Sequence, residues 1–488
     1  MKAVRRVGLI GFLIGAASAG TLPAREAPGP ASNPTQQELL EQVKALRSEV
    51  GELRAQLKTQ QAATQPSSPS SVSAGASNAT PADLLRDIDR RQSMDLPGLT
   101  AGWDPSKGFV IQSDDRSFLL HPWAFIQVRD TTNYRQAGRT GGGDTTDTGL
   151  ELPRMKFILD GNLFSTDFTY QIIWSTATEG SAAPAGGSLF LQDAWGRYHL
   201  PGTPLAIRAG NIRDPFDHEQ ITFGTRSLTP ERSIVNNLLA NGDGIVKGVS
   251  FSYGYDKRSS DSDEPASPFR TEIAFTGGER NTDTSFVGYP TNPATYGGAG
   301  RFDYKLFGDW KDYAQFTSLG DKQPLLVLGG GVDYTEAGDT GNLLHVIDLQ
   351  FDTPNGLNFY GAYLGRYTTR NGGAPGTNGG FTTKGRYPDT YDSTLRFQAG
   401  YLIGGHLEPF ARYEYLRFDG NELPKGFAHD VVQDLTVGFN YYFVGHRAKI
   451  SAAASYLPDG SPISNVQSDL LANRKNEVIV QAQFQLMI

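Results

Sequence analysis

The chain has 488 residues, a formal charge of −8, no cysteine, and 57 Gly, 21 Tyr and 27 Phe. Without cysteine there are no disulfide staples and no thiolate-bound metal, so stability has to come from packing and backbone pairing. The acidic balance excludes a nucleic-acid partner held through phosphate contacts, which need a basic surface.

In chain order, MKAVRRVGLIGFLIGAASAG comes first, with Lys2, Arg5 and Arg6 as a basic start, Val7 to Ile14 as an apolar stretch and Ala17-Ser18-Ala19 as a small-residue cleavage site. This predicts a secretory signal over residues 1–19. No later apolar run approaches the roughly 20 residues that a membrane helix needs. Thr35 and Glu38 then form a capping box, in which each side chain satisfies the other's free backbone amide. Leu39, Val43, Leu46, Val50, Leu53 and Leu57 follow at alternating spacings of four and three. That seam of period 3.5 predicts a coiled-coil helix over 35–61, weakened by Gly51. A Ser, Pro and Ala-rich stretch with little to bury predicts a linker, with a further short helix, over 62–102.

From Trp103 to Ile488 the pattern changes to strands that are apolar on one parity and polar or small on the other. Sixteen such segments are expected: 118–132, 152–164, 167–177, 188–200, 204–212, 245–256, 268–277, 300–307, 325–334, 342–352, 356–368, 391–403, 406–418, 430–443, 446–457 and 476–488. Their connections alternate. Tight turns at 165–166, Pro201-Gly202-Thr203, Thr353-Pro354-Asn355, Gly404-Gly405 and Val444-Gly445 are separated by long polar links such as TRNGGAPGTNGGFTTKGR. The links at 257–267 and 308–324 are long where tight turns are expected, and mark either a misplaced strand or an insertion.

Amphipathic strands in even number, with short turns on one side and long loops on the other, predict an all-β fold: a 16-stranded antiparallel transmembrane β-barrel with an N-terminal periplasmic helix. Lipid satisfies no backbone amide, so a sheet that crosses it must close on itself. The final NEVIVQAQFQLMI is then the strand that seals the cylinder, apolar toward lipid and amide-rich toward water. Tyr134, Trp174, Tyr198, Tyr255, Tyr367, Tyr401 and Tyr456 sit near strand ends, where membrane interfaces favour aromatic rings.

Parity places Arg129, Arg154, Lys156, Arg197, Arg208, Arg270 and Arg396 on the inner wall with Asp160, Asp193, Glu272, Asp303, Asp348, Glu414 and others. Basic residues slightly outnumber acidic ones, which leans the pore toward anions, since rings or ladders of Arg and Lys select them. The opposing reading is that Arg and Asp pair across neighbouring strands and simply stabilise the wall. The longest interruption, RDPFDHEQITFGTRSLTPERSIVNNLLANGDG at 213–244, carries Pro215, Phe216, Ile221, Phe223 and Leu228. Such a loop has the means to pack rather than dangle.

Residues Gly210-Asn211-Ile212-Arg213 followed by Asp214-Pro215-Phe216, with Glu219, TFGTRSLTPER and the late NEVIVQAQ strand, resemble the phosphate-selective porins O and P. The resemblance covers about 103–488 and implies a homotrimer in which the third long loop folds into the pore, with Arg213, Arg226 and Arg232 at loop positions that lead anions through. Asp214, Asp217, Glu219 and Glu231 sit beside them, and a mixed constriction attracts phosphate less than a basic one. Ile488 stands where barrel-assembly signals usually carry Phe.

The sequence has no H-E-x-x-H and no G-x-S-x-G, so no enzymatic activity and no cofactor or metal is expected. GGGDTTDTG at 141–149 and DSDE at 261–264 lack the spacing of an EF-hand and read as solvated tips. The expectation is an outer-membrane porin for passive diffusion of small hydrophilic, preferentially anionic solutes, with lipid around it and its N-terminal segment in the periplasm. The alternatives are a tether that reaches the cell wall through the coiled coil, and an outer-membrane enzyme barrel.

Overall fold

In the computed structural model of the chain the described residues are 98–104, 108–136, 143–176, 189–240, 244–255, 267–278, 296–337, 340–370, 381–383, 389–419, 422–424, 430–461, 470–471 and 475–488. The expected signal, coiled coil and most of the linker lie outside them. The last linker positions do not: Leu99–Asp104 forms β1, paired with β2 (Gly108–Ser113), which adds to the first residues of β3.

The strands that follow are β3 (Leu119–Arg135), β4 (Thr145–Asn162), β5 (Phe168–Ser175), β6 (Phe190–His199), β7 (Leu205–Arg213), β8 (Ile245–Tyr253), β9 (Phe269–Thr276) and β10 (Tyr296–Phe307). The second half holds β11 (Leu325–Ala337), β12 (Thr340–Asp352), β13 (Leu357–Arg370), β14 (Phe381–Thr383), β15 (Thr390–Tyr401), β16 (Leu407–Arg417), β17 (Glu422–Pro424), β18 (Val431–Val444), β19 (Ala448–Leu457) and β20 (Glu477–Met487). Each barrel strand pairs antiparallel with the next, and β14 with β17 forms a separate two-stranded piece. The ring closes where β20 pairs with β3, from Glu477↔Arg135 to Met487↔Phe125. Leaving out β1, β2, β14 and β17, the closed barrel has the expected sixteen strands.

Burial follows the parity read from the sequence. Along β16, LEPFARYEYLR, exposed and buried residues alternate almost without exception, and β20 does the same with the opposite phase. The exposed parity is apolar: Phe251, Ile273, Phe275 and Ile347 are 60–70% exposed, a belt that water would not tolerate but hydrocarbon requires. At the long-loop rim, tyrosine hydroxyls donate to polar partners: Tyr134 to Asp144 (2.6 Å), Tyr296 to Glu336 (2.7 Å), Tyr367 to Asp389 (2.9 Å) and Tyr456 to Asn476 (2.9 Å). Rings toward lipid and hydroxyls toward the polar rim suit an interface. Asp144 and Asp147 of the acidic 141–149 stretch are engaged there, Asp147 with Arg135.

Four expectations need correction. Leu163, inside the expected strand 152–164, lies beyond the end of β4. Tyr255 leaves the rim and lies against Arg270 and Arg197 on the inner side, at 5.3 and 5.8 Å. The link between β11 and β12, expected to be long, is only residues 338–339, because the ladder runs on through Ala337↔Thr340. Finally, 308–324 is an insertion and not a misplaced strand: β10 and β11 pair on either side of it.

Candidate functional site

Residues 213–240 fold inward and pack against the wall of the barrel. They hold helix α1 (His218–Ile221), a short 3-10 turn at Gly224–Arg226 and helix α2 (Ile234–Leu238). The fold starts from composition. Phe216, Leu228, Ile234, Val235, Leu238 and Leu239 are too apolar for a solvated loop, and they bury against Leu344, Val346, Tyr360, Leu364, Phe410, Leu416, Val432 and Ile479 of the wall. Those wall residues sit on the inward parity, so β12 to β20 are apolar on both faces where the loop docks.

Polar wall side chains then take up the loop's backbone carbonyls, which burial would otherwise leave unsatisfied. Arg301 donates to Phe216 (3.0 Å), Asn440 to Leu228 (2.8 Å), Lys449 to Ser227 (3.0 Å), Arg412 to Glu231 (2.9 Å) and Gln485 to Thr225 (3.2 Å). At α2, Ser233 Oγ accepts from the Asn236 amide (3.2 Å), and the free Val235 amide donates to Glu414 of the wall (3.2 Å). A cap and a carboxylate thus cover the positive end of this helix.

Two ion-pair clusters lock the loop. Arg396 Nη2 meets Asp217 at 2.8 Å while its Nη1 meets Glu219 at 2.6 Å and Ser233 Oγ at 3.0 Å. Burial pushes the Glu219 carboxyl up and Arg396 and Arg412 pull it down; the net direction is below its ordinary value. On the other side, Glu231 bridges Arg129 and Arg154, and Arg129 also holds Glu151 (2.7 Å). A third cluster, Arg301 with Asp303 (2.7 Å) and bidentate with Asp348 (2.8 Å each), supports the start of the loop.

These contacts depend on missing side chains in β11. A Cβ at Gly329 would enter the Arg301–Asp348 pair, and one at Gly331 would collide with the Phe216 carbonyl. Glycine inside a strand marks such a close approach.

The nine basic residues that the sequence singled out divide into two sets. Arg129, Arg154, Arg208, Arg213 and Arg396 are buried and paired with carboxylates, Arg208 with Glu272 (2.6 Å) and Arg213 with Asp193 (3.5 Å). Their charge is spent locally, so they add little field to the lumen. The other four are Lys156, Arg197, Arg226 and Arg270. Lys156 and Arg213 both lie over the Phe223 ring, at 5.8 and 5.6 Å. Arg197 lies 5.3 Å from the Trp195 ring, Arg270 lies 4.2 Å from Trp310, and Arg226 is exposed at the tip of the loop. Arg197 and Arg226 have no carboxylate within ion-pair distance among the described residues. Arg232 donates to the Gln220 and Thr222 carbonyls and shapes the loop from within.

The loop docks on the wall from β10 round to β4. Trp123, Asp160, Gln171, Trp195 and Arg197 are inward residues that stay partly exposed on β3 to β6, where Phe223 of the loop packs against Trp123 and Phe125.

No family model matches the sequence, and neither does any curated protein. Solved structures that resemble it include the outer-membrane expressed OmpT of Vibrio cholerae, at 9% identity and a TM-score of 0.47 over 78% of this chain and 100% of that one. The anion-selective porin from Comamonas acidovorans matches at 12% and 0.47 over 76% and 100%. The outer-membrane channel DcaP of Acinetobacter baumannii matches at 13% and 0.46 over 75% and 97%. The likeness is one of barrel outline, and it assigns no solute.

Sequence reasoning missed the carboxylates Asp217, Glu219 and Glu231 as partners of the wall, because parity gives a side chain's face and not its neighbour. It also missed Tyr313 and Phe316 of the 308–324 insertion, which meet the loop inside the lumen. Their signal was present: a link at the short-turn rim with Trp310, Tyr313 and Phe316 has too much ring surface to leave in water.

Proposed function

We propose that the chain is an outer-membrane channel for passive diffusion of small hydrophilic solutes, phosphate and related anions among them, acting as a homotrimer with its N-terminal segment in the periplasm. The observation that carries the reading is the sealed sixteen-stranded ring with an apolar exposed parity and a polar inner wall narrowed by a docked loop. The mechanism is electrostatic attraction into a wet, narrowed lumen, with no covalent step. Its lean toward anions is weak, because five of the nine candidate cations are neutralised by carboxylates and Arg197 and Arg226 supply the field along the open side. The trimer rests on the resemblance to the porins O and P.

Reversal potential in a planar bilayer across a KCl gradient tests it. The expected result is mild anion preference, reduced in the double variant Arg197→Gln/Arg226→Gln, and partial block by added phosphate. Cation preference would overturn the anion assignment, and a folded, inserted protein without conductance would overturn the channel.

A further inference from the structure

The constriction has a second component. Between β10 and β11 the chain does not turn at once but runs through 308–324, with helix α3 (Trp310–Tyr313) near its start. Trp310, Tyr313 and Phe316 are each at most 5% exposed. A short-turn rim in water gives no reason to spend three rings; burying them offsets the entropy of ordering the segment.

The segment crosses the barrel contact by contact. Trp310 Nε1 donates to the Ser267 carbonyl beside β9 (2.8 Å). The Tyr313 hydroxyl accepts from Arg301 (2.8 Å) and donates to Asp303 (3.0 Å), both on β10. Gln315 reaches His446 in the β18–β19 turn (2.9 Å), and its carbonyl accepts from Gln350 of β12 (2.8 Å). Thr317 donates to Glu408 of β16 (2.7 Å), and Ser318 to the Leu357 carbonyl of β13 (2.7 Å).

In passing, the segment clamps the pore loop. The Tyr313 ring stacks flat on His218 at 3.8 Å and 1°, and Phe316 packs against His218 and Tyr360 at 5.1 and 4.9 Å. The Phe316 amide donates to the Arg226 carbonyl at 3.1 Å. Burial first, and Arg301 next, lower the pKa of His218, which holds it neutral for stacking.

Resting on the channel reading above, we propose that 308–324 is a size-determining strap: together with the pore loop it blocks the β9 to β19 side from the short-turn rim and leaves solutes the β3 to β8 side. The upper size of the permeant is then set by two segments from opposite rims, and loop 213–244 alone does not define it.

The test replaces residues 309–322 with Asn-Gly, which lets β10 and β11 join through a tight turn. A second variant, Tyr313→Ala/Phe316→Ala, keeps the chain length and removes only the rings that touch the loop. Heat-modifiable migration on gels reports that each barrel is closed. Single-channel conductance of the shortened protein is expected to rise at least about twofold, in keeping with a wider water-filled section, and liposome swelling is expected to admit larger neutral sugars. The double variant is expected to shift both readouts in the same direction by less. If the parent conducts and both folded variants match it in conductance and sugar cut-off, the strap is overturned while the channel stands. If neither the parent nor the variants conduct, the channel reading fails and the strap with it.

Discussion

Arg396→Ala is expected to release the pore loop from the wall while leaving the barrel closed. Arg396 is 1% exposed and is the shared partner of Asp217 and Glu219, so its removal leaves two buried carboxylates without their ion-pair partner. Breaking a buried pair from one side costs about 3–5 kcal/mol. The loop carries Arg226 and Arg232, so limited trypsin cleavage between 213 and 244 in detergent is expected to speed up strongly, with current noise rising in bilayers. Arg396→Lys is expected to fall between, because an ammonium restores charge but not the two-pronged geometry. Arg417→Ala, which breaks a 4.0 Å pair at the exposed rim, should change cleavage little, as exposed pairs are worth about 0–1 kcal/mol.

Gly331→Val is expected to unseat the same loop by steric means. The backbone of Phe216 occupies the space where a side chain at 331 would stand, and a main-chain carbonyl held by Arg301 at 3.0 Å does not swing aside as a flexible side chain would. Forcing extra carbons into a packed site costs about 1–3 kcal/mol and occasionally more; a clash with backbone belongs at the upper end. The readout is again trypsin cleavage, with Gly330→Ala as the control. The residue at 330 points outward, and a Cβ there meets nothing closer than 3.6 Å. Equal cleavage in both variants would contradict the close approach.

The barrel was legible because lipid enforces a period of two. Where a strand crosses hydrocarbon, as β16 and β20 do, every second residue must be apolar, and the parity read from the sequence matches the burial. Beyond the membrane that rule lapses. β4 begins at Thr145 in a stretch, TTDTGLEL, whose polarity does not alternate, and its outer end passed for loop. The lumen was less legible. Parity put Arg129, Arg154 and Arg396 inside, yet their carboxylate partners lie on a loop 77 to 179 residues away, and no local pattern encodes such distances. One signal was available: Leu344, Val346, Leu416, Val432 and Ile479 are apolar on the inward parity. In a wall that faced only water those positions would be polar, so runs such as VIV in β20 mark where the loop sits. The Gly-Gly-Gly of β11 marks the same sector by removing side chains.

A wall rich in arginine need not give a strongly positive lumen when its charges pair with the loop. Wall and loop carry opposite charges that pair where they meet, as Arg129 and Arg154 do with Glu231 and Arg396 with Asp217 and Glu219.

Cysteine scanning is direct in a chain that has none of its own, and spin labels placed one at a time at residues 478–485 of β20 in lipid vesicles test the central claim. Oxygen accessibility is expected to peak at 478, 480, 482 and 484 and to fall at the alternate positions, with a period of two. Uniformly low oxygen accessibility, or peaks on the opposite parity, would mean that the apolar face is covered by protein, and would contradict a lipid-embedded barrel.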